Sequence, residues 1–116
     1  MLQSLHGLQI SERKDMLEKE VEKYLIREVK KLGGLCYKFV SPGNSGVPDR
    51  LVLLPELPAI LVELKTEKGR LSKLQKAQIS KIKSVNEQVC VLYGKEDVKL
   101  FIDICRFKMM TGGDKK

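Results

Sequence analysis

Apolar residues recur at helical spacing through the first third of the chain. Leu17, Val21, Tyr24, Leu25, Val29 and Leu32 repeat every three or four positions and stop at Gly33-Gly34, which predicts an amphipathic helix ending in a glycine turn. The period then shortens. Leu35 to Val40 reads as a strand, broken by Ser41-Pro42-Gly43-Asn44-Ser45-Gly46, a run of residues that favour turns and positive φ. Asp49 to Leu54 and Ala59 to Lys65 follow as two strands joined across Pro55-Glu56-Leu57-Pro58, the pattern of a hairpin. From Ser72 to about Val85 the period is helical again, and Ser72 with Gln75 has the spacing of a capping box. Leu71, Gln75, Gln78, Ile82 and Val85 fall on one stripe, expected to face the protein. Val89 to Tyr93 is a short apolar strand, and Val98, Leu100, Phe101, Ile104 and Cys105 predict a closing helix from Gly94 onward. The expected order is α-β-β-β-α-β-α, an α/β fold with a mixed central sheet flanked by helices.

The hairpin can be read as arithmetic. If its centre falls on Glu56, opposed residues have numbers that sum to a constant, pairing Asp49 with Glu63 and Leu51 with Leu61. Opposed residues share a sheet face with Cβ atoms roughly 4.5–5.5 Å apart. Lys65, two residues after Glu63, points to the same face. Leu51, Leu53, Ala59 and Leu61 occupy one face and Val52, Leu54, Ile60, Val62 and Leu64 the other, so both faces are expected to be covered. Charged residues entering so apolar a setting must be paired, metal-bound or placed at an opening.

Length and charge narrow the choice of partner. A chain of 116 residues suits one domain, here residues 1–116 with a core of about 13–106. Residues 1–12 carry no sustained period and residues 111–116 are expected to fray. The 22 Lys+Arg outnumber the 15 Asp+Glu, giving a formal charge of +7 that favours a polyanion. No run approaches the roughly 20 apolar residues of a membrane span. The start of the chain has no apolar leader pattern, so a cytoplasmic place in a bacterial or phage-infected cell is expected. Cys36, Cys90 and Cys105 are odd in number and sit in apolar runs, which suits reduced thiols better than disulfides or zinc.

Two facing carboxylates and a lysine are the groups that phosphodiester hydrolysis requires. Hard oxygen ligands hold Mg²⁺ or Mn²⁺, which polarises a phosphate and lowers the pKa of bound water. A nearby ammonium orients the attacking water or stabilises the charge that develops. From spacing alone, the bland reading stays open: Asp49 ends a loop, and Glu63 with Lys65 is a solvated pair.

The ordered combination Gly46-Val47-Pro48-Asp49-Arg50, Leu61-Val62-Glu63-Leu64-Lys65 and Gly69-Arg70-Leu71-Ser72 with Gln75 resembles the virus-type replication-repair nuclease (VRR-NUC) family of the PD-(D/E)XK nuclease superfamily. The likeness runs from about Glu20 to about Lys99. It implies that Asp49 and Glu63 bind Mg²⁺ or Mn²⁺, that Lys65 is the catalytic lysine, and that Glu20 is an additional metal-binding acid. It also implies that Gln75 matches a glutamine opening the following helix, and that the substrate is DNA, with small members resembling homodimeric enzymes that cut four-way (Holliday) junctions. The loop from Ser41 to Ser45 lacks the fuller polar pattern such a family member would carry.

Periodicity by itself does not select Glu20. Glu18 and Glu28 compete for the role, and Glu28 projects nearer the middle of the apolar stripe. Gln75 is either a helix cap alone or part of the site. Lys68, Arg70, Lys73 and Lys76, with Lys81 and Lys83 beyond them, form either a solvated face or phosphate contacts flanking a cleft. The functions in play are a structure-selective endonuclease, a general nicking or flap-type nuclease, and a non-catalytic basic DNA-binding domain. Because one site cuts one strand, symmetric junction cleavage predicts a homodimer, with Leu2, Leu5, Leu8 and Ile10 as a candidate interface.

Overall fold

The computed structural model describes residues 10–112, with side chains from Leu17 onward. Seven elements follow the predicted order: α1 (Ile10–Lys31), β1 (Leu35–Lys38), β2 (Arg50–Leu53), β3 (Ile60–Lys65), α2 (Lys73–Lys83), β4 (Val89–Tyr93) and α3 (Gly94–Met110). Residues 10–12, expected to precede the core, form the first turn of α1. The candidate interface residues Leu2, Leu5 and Leu8, and the tail from Gly113, lie outside the described residues.

One mixed sheet carries the fold, in the order β1-β2-β3-β4. The first two pairings are antiparallel and the last is parallel. Strands β1 to β3 are shorter than the apolar runs suggested, because Val40, Asp49, Leu54 and Ala59 fall just beyond the paired segments. A tight turn joins β2 to β3. Leu57 N–H donates to the Leu54 carbonyl at 3.2 Å, Pro55 sits at the second position, and Glu56 takes the positive φ of 63° that this kind of turn demands at its third.

The two sheet faces are unequal. Val52, Leu54, Val62, Leu64 and Leu92 pack against Val21, Leu25 and Val29 of α1 and Val98, Ile102 and Cys105 of α3, forming the core. Among the described residues only α2 crosses the opposite face, where it buries Ile79 and Val89. A helix is about 10 Å across and strands lie about 4.8 Å apart, so one helix covers about two strands. Leu35 and Tyr37 consequently remain 50% and 53% exposed, and Leu51 and Leu53 are half-buried. The sequence predicts that both faces are covered, and the second is covered only in part: two helices pack on one face and one on the other. On α2 itself the buried residue is Ile79, with Gln75, Gln78 and Ile82 half-buried beside it. Val85, placed on the inner stripe by periodicity, follows the helix end and is exposed.

The three cysteines are free, Cys105 buried and the other two half-buried. Burial pushes all three thiols up, Cys90 to about 12, so none is poised as a nucleophile. No helix among the described residues is long and apolar enough to cross a membrane.

Leu25 is fully buried where α1 meets the sheet. Leu25→Ala should lower unfolding free energy by about 2–5 kcal/mol, read as a lower urea midpoint with unchanged slope. Leu100→Ala, at an exposed position of α3, should cost no more than about 0.5 kcal/mol.

Candidate active site

The hairpin brings the first two acids together. Arg50 pairs with Val62, Leu51 with Leu61 and Val52 with Ile60, the register that the arithmetic required, and one step further Asp49 faces Glu63. Asp49 stands at the mouth of the hairpin after the buried Pro48. Its carbonyl accepts a hydrogen bond from Phe39 N–H at 2.7 Å, and its own N–H donates to the Glu63 carboxylate. Lys65 lies on the same face with Nζ 3.9 Å from Glu63 Oε2.

Gln75 reaches the pair from α2. Its Nε2 donates to Glu63 Oε2 at 3.2 Å while its Oε1 accepts from Ser72 N–H at 2.8 Å. Ser72 Oγ in turn accepts from Gln75 N–H at 3.1 Å, closing the capping box. The amide thus has a donor's task on one side and an acceptor's on the other, which settles its orientation. Capping and contact with the acid are the same act, so neither of the two readings of Gln75 excludes the other. Gly46 makes this approach possible: with φ +90°, a Cβ there would lie 2.6 Å from the Leu74 carbonyl oxygen, on the first turn of α2. Only glycine lets the loop before Asp49 lie so close to the helix that carries Gln75.

Electrostatically, Glu63 is under strain. It is 6% exposed, and its pKa is pushed up to about 7, chiefly by burial and then by the negative charge of Asp49, with Glu18 adding to it. Lys65 and the Asp49 N–H pull the other way without cancelling the shift. A divalent cation would relieve the acid pair directly. Among the described residues no three His, Cys, Asp or Glu side chains form a ready-made cage. The residues therefore fit a cation held by two carboxylates whose shell is completed by water and substrate oxygens, as is usual for Mg²⁺.

The third acid is where the structure departs from the family-based expectation. Glu18 lines a cleft of about 310 Å³ together with Lys19, Glu22, Lys38, Asp49 and Leu64. Glu20 stands elsewhere on α1, its carboxylate 3.8 Å from Lys95 at the start of α3. Glu28 faces Lys31 at 3.0 Å and Arg27 at 3.7 Å, and these cations hold its carboxyl below the usual range. The physical reason is helical phase. Val21, Leu25 and Val29 are the buried positions, and Glu18 lies three and seven residues before the first two, on the same side of the helix. Glu20 is a quarter-turn or more away.

Of the basic residues, Lys68 and Arg70 line a hollow shared with Leu17, Glu18 and Thr66, and both recur with Lys76 and Tyr93 around an adjoining one. Lys73 is exposed on the first turn of α2 and lines neither. Another hollow, about 380 Å³, opens near the hairpin turn between Leu57, Ile60, Cys90, Phe101 and Cys105. It is more apolar, lacks the acid pair, and its thiols are held protonated by burial. Chemistry therefore assigns the site to the cleft at Asp49.

The chain is similar to known proteins. The model of the VRR-NUC domain matches residues 4–96. The chain is 45% identical over 75 residues to "Putative nuclease p44" of Acyrthosiphon pisum secondary endosymbiont phage 1, a match covering 65% of this chain and 81% of that protein. It is also similar to a solved structure described as a VRR_NUC domain, with a TM-score of 0.69 and 31% identity, over 74% of this chain and 94% of the other.

The burial of Glu63 sets a pH dependence for the metal-free protein. Unfolded, Glu63 ionises near 4.5; folded, it keeps its proton to about pH 7. Between these values the native state binds more protons than the unfolded one, so stability falls as pH rises through that window, by at most about 3 kcal/mol. Glu63→Gln should remove this fall. Urea titrations in a chelator should then show the variant more stable than wild type at pH 8 and nearly equal to it at pH 4.5. Parallel pH profiles for the two proteins would show that burying this charge costs nothing.

Proposed function

The chain belongs to the VRR-NUC family, and we propose that it is a divalent-metal-dependent DNA endonuclease whose site is built from Asp49, Glu63, Lys65 and Gln75, with Glu18 in place of Glu20 as the additional acid. The observation that carries this reading is the buried Glu63 carboxylate, set opposite Asp49 and within 3.9 Å of Lys65 and 3.2 Å of Gln75. Two acids at the face of a chain with net charge +7 repel a DNA backbone unless a cation lies between them. That counts against a purely DNA-binding role.

In this reading water attacks phosphorus and gives up a proton to solvent, one P–O ester bond breaks, and the departing oxygen takes a proton from solvent. Negative charge builds on the non-bridging oxygens. Lys65, with its side chain only 14% exposed, donates a hydrogen bond to one of them in a setting poor in competing water. Gln75 holds the Glu63 carboxylate in one orientation, and the Asp49 N–H holds it from the hairpin side. Mg²⁺ or Mn²⁺, bound by Asp49 and Glu63, would supply Lewis acidity and a water of lowered pKa. Lys68, Arg70 and Lys76 flank the cleft as phosphate contacts, and Lys73 stands beside them on α2.

Selectivity for four-way junctions, acting as a homodimer, is the finer part of the proposal. A junction cut symmetrically needs two sites related by a two-fold axis. The half-covered sheet face around Leu35, Tyr37, Leu51 and Leu53 supplies an apolar surface that a second copy could cover. General nicking or flap cleavage needs only one chain.

A panel of labelled junction, flap, splayed, duplex and single-stranded DNA with Mg²⁺ or Mn²⁺ tests both levels. Wild type should cut, with the junction preferred. Asp49→Ala and Lys65→Ala should each lose about 10²–10³-fold or more in rate. Glu18→Gln should be impaired, and Glu20→Gln should cut nearly as wild type. Metal-independent binding with no cleavage of any substrate would leave only the DNA-binding role. In sedimentation, wild type should run at twice the 13.2 kDa chain mass and Tyr37→Arg as a monomer. A wild-type monomer that cuts flaps or duplex would favour simple nicking.

A further inference from the structure

Glu18 is held against charge repulsion by a helix whose apolar anchorage fades towards that end. The buried residues of α1 are Val21, Leu25 and Val29, running away from the cleft, while Leu17 is 42% exposed. Among the described side chains no fully buried apolar residue beyond Val21 fixes the height of α1 relative to the hairpin mouth. Yet Glu18 and Asp49 line one cleft, and the Glu18 charge adds a smaller push to the raised pKa of Glu63.

A polar contact stands where the anchorage ends. Arg50 Nε donates to Glu22 Oε2 at 3.1 Å, and Nη2 pairs with the same oxygen. The Arg50 side chain is 11% exposed and that of Glu22 33%. Glu22 is one helical turn after Glu18, on the same side of α1, and lines the same cleft. Arg50 directly follows Asp49 and pairs with Lys38 and Val62 in the sheet. The contact therefore ties the residue beside one acid to the residue one turn from another.

We propose that Arg50 is a positioning residue: by gripping Glu22 it sets the height and rotation of α1, so that Glu18 shares the cleft of Asp49, the acid opposite Glu63. The grip depends on the rigid guanidinium fork, which addresses the carboxylate through two nitrogens; lysine keeps the charge but has no such fork. This inference rests on the nuclease reading for its consequence in metal binding, and on the fold alone for its effect on α1.

Arg50→Lys, Glu22→Gln and the double variant test it, with thermal melts confirming folding. In amide exchange, each single variant should speed exchange across residues 17–22 of α1 and leave residues 89–93 of β4 unchanged. In calorimetric titration with Mn²⁺ and no DNA, each should weaken affinity about tenfold. The double variant should be no worse than the poorer single, because both remove one contact. If Glu22→Gln binds Mn²⁺ and exchanges like wild type while Arg50→Lys does not, Arg50 acts on Asp49 directly and the clamp is refuted. Additive losses refute it as well. If wild type neither binds Mn²⁺ nor cuts DNA, the nuclease reading falls, and the exchange contrast still decides whether Arg50 holds α1.

Discussion

A carboxylate buried at the end of an apolar hairpin, facing a second carboxylate, is the constraint around which this chain is organised. Glu63 gives up most of its contact with water and lies against the charge of Asp49, an arrangement that costs folding free energy unless a cation or a proton offsets it. Each neighbouring element meets part of that demand. The hairpin gives the Asp49 N–H, β3 gives Lys65, and α2 gives the Gln75 amide. Glu18, approaching on α1, makes the demand sharper. A fold built for stability alone would gain by replacing Glu63 with an uncharged residue, so a charge at this position fits a role in chemistry.

Structure and site share the same atoms. Gln75 begins α2 and orients the acid with opposite ends of a single amide. Gly46 brings the loop before Asp49 against the first turn of that helix, at a distance no side chain would allow. Arg50 and Glu22 fasten α1 next to the acids. The site is accordingly assembled from three elements whose relative positions are each set by a short-range contact, and a shift in one changes the geometry at Glu63.

Much of this was legible in the chain before any coordinates. The seven elements were read in the right order because each has its own period and most are bounded by glycine, proline or a capping residue. The hairpin register followed from a turn too short to slip, with Pro55 and Glu56 occupying its two special positions. Strand ends were overrun at Val40 and Ala59 because pairing, not apolarity, decides where a strand stops. The coverage of each sheet face could not be read from a single strand, since it depends on how many helices share that face. Family resemblance pointed to Glu20, whereas the phase set by Val21 and Leu25 favours Glu18, a signal present in the spacing but masked by Leu17 and Tyr24 at the edge of the stripe. The Arg50–Glu22 contact joins residues 28 positions apart, and no local periodicity reports such a pair.

The central claim is that Glu63 is a buried acid awaiting a cation, and its own titration tests this most directly. Carboxyl ¹³C chemical shifts of the metal-free protein, followed against pH, should give Glu63 a midpoint of about 7, moving down in Asp49→Asn and moving down when Mg²⁺ is added. A midpoint near the ordinary value of 4.5, indifferent to Asp49 and to Mg²⁺, would contradict the account.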